Sequence, residues 1–285
     1  MKRTVLTILP AFAILSVIAV LSFAAYRSPE PDAGSLATVN NADMPDIGKL
    51  LPGYALTDDD LLASIPSAKR YDGTGVIEGG DHILSGDYRN TVVIDAGDRV
   101  VHLILDNANV LSGDGPAINV RSAAKVVITA ADGTDNTIAD CAYHSDPELT
   151  SAIQSNSDIT INGTGTVKVT GFYKDAIATD RVFRAVDTTL RIKAKRDAIS
   201  ADDGMVINCA LLVAQAERND LKTDSHKRAV KGNIYILGGD NDLIAGNTGI
   251  SGGSDLYVSG CKISFGCVVA DIKTKGEQYI GEGCL

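Results

Sequence analysis

Asp180, Asp202 and Asp224 stand 22 residues apart, and each closes a similar phrase: DAIATD from Asp175, DAISAD from Asp197 and NDLKTD from Asn219. If equivalent positions are stacked, three like charges repel, and something must offset them. One solution is a bound hard cation such as Ca2+, which takes about six to eight oxygens from carboxylates, carbonyls and water. Asp203 and Asp220 are placed to add oxygens to such a site. The other solution is a ladder of surface ion pairs, since Lys174, Arg196 and Arg218 also recur every 22 residues and Lys222 sits between Asp220 and Asp224. The residues alone leave both open. The same four cations, Lys174, Arg196, Arg218 and Lys222, are the candidates for contacts to an anionic ligand. A cation crowded by other cations can have its pKa depressed enough to abstract a proton beside a carboxyl group. Lys222 and Arg218 are therefore the catalytic candidates if the protein is a polysaccharide lyase.

Groups repeated this regularly need a periodic scaffold. The third residues of the three phrases are Ile177, Ile199 and Leu221, and a fourth window from Asn241 supplies Leu243. Leu190, Leu212, Ile234 and Leu256 keep the same interval, as do Ile192, Ala214, Ile236 and Val258. This reads as four coils in one unbroken register. Within each coil apolar residues alternate with polar ones, which is the period of a strand rather than a helix. Short strands at one fixed interval, separated by Gly, Asp and Asn, predict an all-β, single-stranded parallel β-helix of about 22 residues per coil. Looser strand-like runs extend it from about Ile77 to Phe265. The leading residues Asp175, Asp197, Asn219 and Asn241 fall at corners, where their side chains can bond local backbone amides. Ala176, Ala178, Ala198 and Ser200 are expected to face outward, making a low floor that suits an extended polymer or is ordinary surface. Tyr235 and Tyr257 are expected to stack on the outside.

The remaining sequence sets the boundaries. A basic start and an apolar run to Ala25 read as an export signal or a retained membrane anchor over residues 1–26. Residues 27–65 read as a flexible linker, with a short helix beginning after Thr57, and residues 66–285 as the β-helix domain. The implied location is exported: secreted, periplasmic or cell-surface, touching a membrane only through the N-terminal segment. A net charge of −10 argues against nucleic acid as a partner. It also limits direct binding of an anionic polymer unless a cation bridges or a local basic strip exists. Five cysteines, at 141, 209, 261, 267 and 284, allow up to two disulfides, and three of them crowd the C-terminus. No CxxC pair and no histidine cluster marks a zinc site.

Several stretches together resemble the bacterial carbohydrate-binding domain proteins, a group with a pectate-lyase-like right-handed parallel β-helix that was long described as a domain of unknown function. They are VHLILDN from Val101, DGTDNTIAD from Asp132, SAIQS from Ser151, DITINGTG from Asp158, and the DAISAD-type phrases. The resemblance implies a right-handed coil, an exported cell-surface protein that binds plant-type or acidic polysaccharides, polygalacturonate-like ones among the candidates, and Ca2+ sites along the helix without established catalysis. In that family the repeats usually read Asp-Gly-Ile, whereas Ala or Asp replaces the Gly here, and the fourth phrase ends in Gly246. Three functions are thus compared: a Ca2+-dependent carbohydrate-binding protein, a uronate lyase, and a surface scaffold or adhesin whose Ca2+ serves stability.

Overall fold

The computed structural model describes residues 53–62, 65–225 and 231–285; the export-like segment and the linker up to residue 52 lie outside them. Among the described residues one short helix, Asp58–Leu61, precedes a succession of short strands paired in parallel. Three strands make one coil. Asp175–Thr179, Val182–Val186 and Thr189–Ala194 form one coil. Ile199–Ala201, Gly204–Asn208 and Leu211–Ala216 lie against it strand for strand.

Stacked this way, the strands build three faces. The first is a nine-stranded sheet running from Val76–Ile77 to Ala270–Thr274. The other two share one sixteen-stranded sheet, because Val100–Leu111 pairs through its first half with Lys125–Ala130 and through its second with Asp135–Ala139. Past that strand the sheet divides. The second face carries Asp158–Asn162, Val182–Val186, Gly204–Asn208 and Asn233–Ile236, and the third Thr166–Gly171, Thr189–Ala194, Leu211–Ala216 and Asp240–Ala245. These are large parallel sheets in a solenoid, as the alternation predicts.

Inward positions join into continuous columns. On the first face Ile118, Ile153, Ile177, Ile199, Leu221, Ile250 and Ile272 pair in succession, and the first six are fully buried. Burying one such side chain is worth roughly 1.5–3 kcal/mol, so each coil is held mainly by the apolar residues of the next.

The register differs from the expectation at one place. Ile177 pairs with Ile199 and Ile199 with Leu221, but Leu221 pairs with Ile250, 29 residues on. Seven extra residues enter the corner between Asp224 and Asn233, as the pairing of Gly204 with Asn233 also shows. Seven residues are about one third of a coil, so every later window advances by one face. Asn241 and Leu243 therefore lie on the third face against Leu212 and Ala214, and Ile234 lies against Met205. The step of 22 then resumes, with Ile234 on Leu256 and Ile236 on Val258. Shifting by a whole face leaves the inward–outward alternation intact.

The chain just before the solenoid is docked against it rather than free. Residues 53–62 form a strap across the outside of the second face. Arg184 donates to Gly53 O at 2.8 Å, and Tyr54 Oη donates to Asp203 O at 2.6 Å. Asp60, with no exposed surface, accepts from Lys125 Nζ at 2.6 Å and from Thr160 Oγ1. Asn162 Nδ2 donates to the carbonyls of Asp60 and Leu62 at 3.0 and 2.8 Å. Residues 53–62, expected to belong to the linker, are thus held against the second face.

Candidate functional site: a charged strip on the first face

The three repeated carboxylates fall on one edge of the first face, each just past its strand, and all are exposed. The backbone links this corner coil to coil. Asp180 N donates to Ser155 O at 3.1 Å, Asp202 N to Thr179 O at 3.0 Å, and Ser225 N to Asp202 O at 3.1 Å. Neighbouring coils are about 4.8 Å apart, so Asp202 sits between two like charges. Burial raises its carboxyl above the usual aspartate value. Asp224 and Asp180 push it further up, and Lys222 pulls it back. The ladder ends after three coils, because the next position is Gly253, where a Cβ would stand 2.2 Å from Ser225 O.

Beside the ladder runs a floor of outward residues in register: Gln154, Ala178, Ser200, Lys222 and Ser251. Ala176 and Ala198, expected to share it, are fully buried in the core instead. Lys222 rises from this floor. Its Nζ is 2.5 Å from Asp224 Oδ2 and 3.9 Å from Asp197 Oδ2.

The opposite edge carries Lys174, Arg196 and Arg218, again linked coil to coil by Arg196 N to Lys174 O at 2.8 Å and Arg218 N to Arg196 O at 2.9 Å. Both arginines are bidentate to buried aspartates of the preceding coil. Arg196 Nε lies 2.6 Å from Asp175 Oδ1, and Arg218 reaches Asp197 at 2.8 and 2.5 Å. The same aspartates accept the amides of Asp197 at 2.9 Å and Asn219 at 3.2 Å. The corner ladder is therefore structural over Asp175, Asp197 and Asn219, whereas Asn241 has left it. Lys174 is seated 4.7 Å above the Tyr173 ring, which stacks on His144 at 4.5 Å. His144 Nε2 lies 3.0 Å from Asp140 Oδ2 in a pair with no exposed surface.

Two of the five carboxylates expected to hold a metal go elsewhere. Asp203 turns to the second face, where Lys231 Nζ is 2.7 Å away and Arg181 Nη1 3.6 Å. Asp220 points into the core, fully buried, in the register position held by Ala198 in the coil before. The expected outward position fails because the corner between faces turns two consecutive residues inward. Among the described residues no three Asp, Glu, His or Cys side chains converge as a ready-made metal cage. Arg218 and Lys222, the two residues expected to serve a lyase as base, are each paired with carboxylates rather than crowded by cations.

What the repeats did not reveal is the strap. With Tyr54 as one wall, it forms a groove of about 460 Å³ along the corner, lined by Asp158, Arg181, Asp203 and Lys231 among others. The strap also covers Val206 and Tyr235, so of the stacked tyrosines Tyr235, Tyr257 and Tyr279, with centroids 4.8 Å apart, the first two are buried and only Tyr279 is partly exposed. A lone Tyr in a polar stretch carries no period, so nothing in the sequence announced its docking.

A family profile described as "Carbohydrate-binding domain-containing protein" matches residues 73–278. A protein of that description from Acetivibrio thermocellus is 24% identical over 213 residues, which span 72% of this chain and 74% of its own length. A solved structure described as the polysaccharide lyase-like protein from C. thermocellum, as a gadolinium derivative, aligns with a TM-score of 0.66 at 25% identity. That alignment covers 72% of this chain and 85% of the other.

Proposed function

Because this chain belongs to the family of carbohydrate-binding domain-containing proteins, we propose that it binds an extended acidic polysaccharide along the first face, between the Asp180–Asp202–Asp224 edge and the Lys174–Arg196–Arg218 edge. The observation that carries this reading is the low floor of Ala178 and Ser200, continued in register by the amine of Lys222, between two oppositely charged edges. A flat bed suits a chain laid lengthwise, and charges of both signs suit uronates, whose carboxylates can meet either a protein cation or a bridging metal.

Ca2+ fits the acidic edge in part. The raised carboxyl of Asp202 marks a field that a cation would relieve. A hard cation takes oxygen donors, and three neighbouring carboxylates supply them. Three carboxylates do not complete a coordination shell. In this reading Asp180, Asp202 and Asp224 supply part of it, and water and the uronate supply the rest. The role is binding rather than cleavage, since neither Lys222 nor Arg218 is free to act as a base. A right-handed coil is the hand that parallel crossovers favour, and the leader-like sequence supports export, with residues 1–26 either a removed signal peptide or a retained anchor.

The test is calorimetry with polygalacturonate in matched Ca2+ and EDTA buffers, for the wild type and Asp202→Asn. Expected is binding that EDTA weakens by about tenfold or more, with the Ca2+-dependent part lost in Asp202→Asn. Because the Asp202 carboxyl is held above its ordinary value, that part should fade as pH drops while carboxylates at the ordinary value are still ionised. Equal binding in EDTA and in Ca2+, unchanged in the variant, would refute the metal-bridged reading.

A further inference from the structure

The third face carries a cluster of cations that the 22-residue repeat does not predict. On its outer surface Lys168 pairs in register with Arg191, and Lys193 stands two residues along the same strand. All three are exposed, in a protein whose net charge is −10. Lys168 has one partner, Asp135 Oδ2 at 2.5 Å. Arg191 and Lys193 make no ion pair with any described residue. Directly opposed cations on neighbouring strands destabilise a sheet, and the next acidic side chain in the Arg191 column, Asp242, lies two strands away beyond Val213.

These residues surround a shallow groove of about 460 Å³, whose remaining lining includes Thr137, Thr170, Val213 and Gln215. Hydroxyl and amide groups between cations are what a hydroxylated anion needs: charge for the acid and hydrogen bonds for the ring substituents. Lys168 and Arg191 are about 4.8 Å apart across the strands, and Arg191 and Lys193 about 6.6 Å along one strand.

We propose that this groove is a second, metal-independent subsite for acidic polysaccharide, in which Arg191 and Lys193 meet acid groups of the polymer directly. The inference rests on the reading of the protein as an acidic-carbohydrate binder and adds a different face, chemistry and salt response. A nucleic acid is the poorer occupant, because its affinity comes from many phosphate contacts and three cations on an otherwise acidic surface supply few.

The test uses the full chain and polygalacturonate as the probe, in EDTA, at low and at physiological salt, with fully methyl-esterified polymer as the neutral control. Wild type is expected to retain EDTA-resistant binding that falls as salt rises and is absent with the neutral polymer. Arg191→Gln with Lys193→Gln should cost roughly tenfold in that binding and leave the Ca2+-dependent increment unchanged. Lys195→Gln, which removes a cation already paired with Glu217 at 2.9 Å, should change it less than twofold. Circular dichroism and melting confirm that each variant folds. Binding seen only with Ca2+ would overturn the second subsite and leave the metal-bridged reading standing. Binding indifferent to Ca2+ but lost in the double variant would do the reverse. EDTA-resistant binding that survives the double variant overturns the assignment to Arg191 and Lys193.

Discussion

Asp220 offers a sharp test of the register. It lies in the first-face strand Asn219–Lys222, between Ala198 of the coil before and Gly249 of the coil after. Its side chain is fully buried, and neither carboxyl oxygen has a hydrogen-bond partner. Burial pushes its pKa from 3.8 up to about 8, and the nearby charge of Asp197 adds to the rise, while backbone groups at Ala216 and Ile244 oppose it without reaching bonding geometry. At neutral pH the folded state therefore carries a neutral carboxylic acid and the unfolded chain an ionised one. The native state holds the extra proton, so stability falls as pH rises through the window between 3.8 and about 8. Each pH step of one across that window removes about 1.36 kcal/mol, which makes the loss by pH 7 roughly 4 kcal/mol. Asp220→Asn keeps the shape and removes the titration. It should match the wild type near pH 4 and exceed it by about 8–16 °C in Tm near pH 7, at roughly 2–4 °C per kcal/mol for a domain of this size. Thermal melts of both proteins from pH 4 to 8 measure this. A constant difference across that range would mean that Asp220 stays ionised and faces water, and that the inward turn at this corner is misplaced.

Two further outcomes follow from other buried groups. Burial of Asp60 would raise its pKa, but hydrogen bonds from Lys125, Thr160 and Thr57 outweigh it and hold the carboxyl below the ordinary 3.8; strap docking is therefore stabilised at neutral pH and lost as pH falls through that lowered value. Asp60→Ala should cut the opening free energy of the strap by about 3 kcal/mol, read as lost hydrogen-exchange protection on the strap amides with core amides unchanged; equal loss in the core would refute local docking. At the C-terminus Cys261 and Cys284 are both buried, Cys284 O accepts from Ile263 N at 2.8 Å, and burial with the adjacent Cys284 thiol pushes Cys261 up to about 12. Because a thiol held that high supplies little thiolate, oxidised glutathione should convert this pair to a disulfide slowly and faster as pH rises, lowering the intact mass by two hydrogens and raising Tm; peptide mapping that joins Cys261 to Cys209 or Cys267 instead would contradict the packing.

How much of this was legible in the sequence depends on what each residue is read against. Ile177, Ile199 and Leu221 could be stacked correctly because alternation and spacing agree, and the same logic placed Asp180, Asp202 and Asp224 on one edge. It failed at Asn241 and Leu243 because seven inserted residues equal one face of the coil, and a shift by one face preserves every local cue. It failed at Ala176, Ala198 and Asp220 because strict alternation makes no allowance for a corner, where the chain turns two neighbours inward. Small residues at Ala176 and Ala198 were the available signal for an inward corner column, and an aspartate in that column had to be either turned out or protonated. The basic cluster was invisible for another reason. Lys168, Arg191 and Lys193 are brought together by steps of 23 and 2 residues, which no single period contains.

The three faces then divide the chemistry among themselves. The second is covered by the strap, so its buried Arg184 and stacked tyrosines serve packing rather than recognition. The first presents acid and base on opposite edges, and its arginines are already bound to Asp175 and Asp197; an anion approaching there gains most from a bridging cation at Asp202. The third presents Arg191 and Lys193, which form no ion pair with a described residue, beside Lys168 paired with Asp135, and an anion meeting those two needs no bridge. A polymer long enough to pass the corner would meet both, and two weak sites joined by one chain bind with an effective concentration that neither has alone. Short oligouronates, able to reach only one face, should lose this gain entirely, so affinity that climbs with chain length more steeply than the number of binding registers would separate two cooperating faces from one.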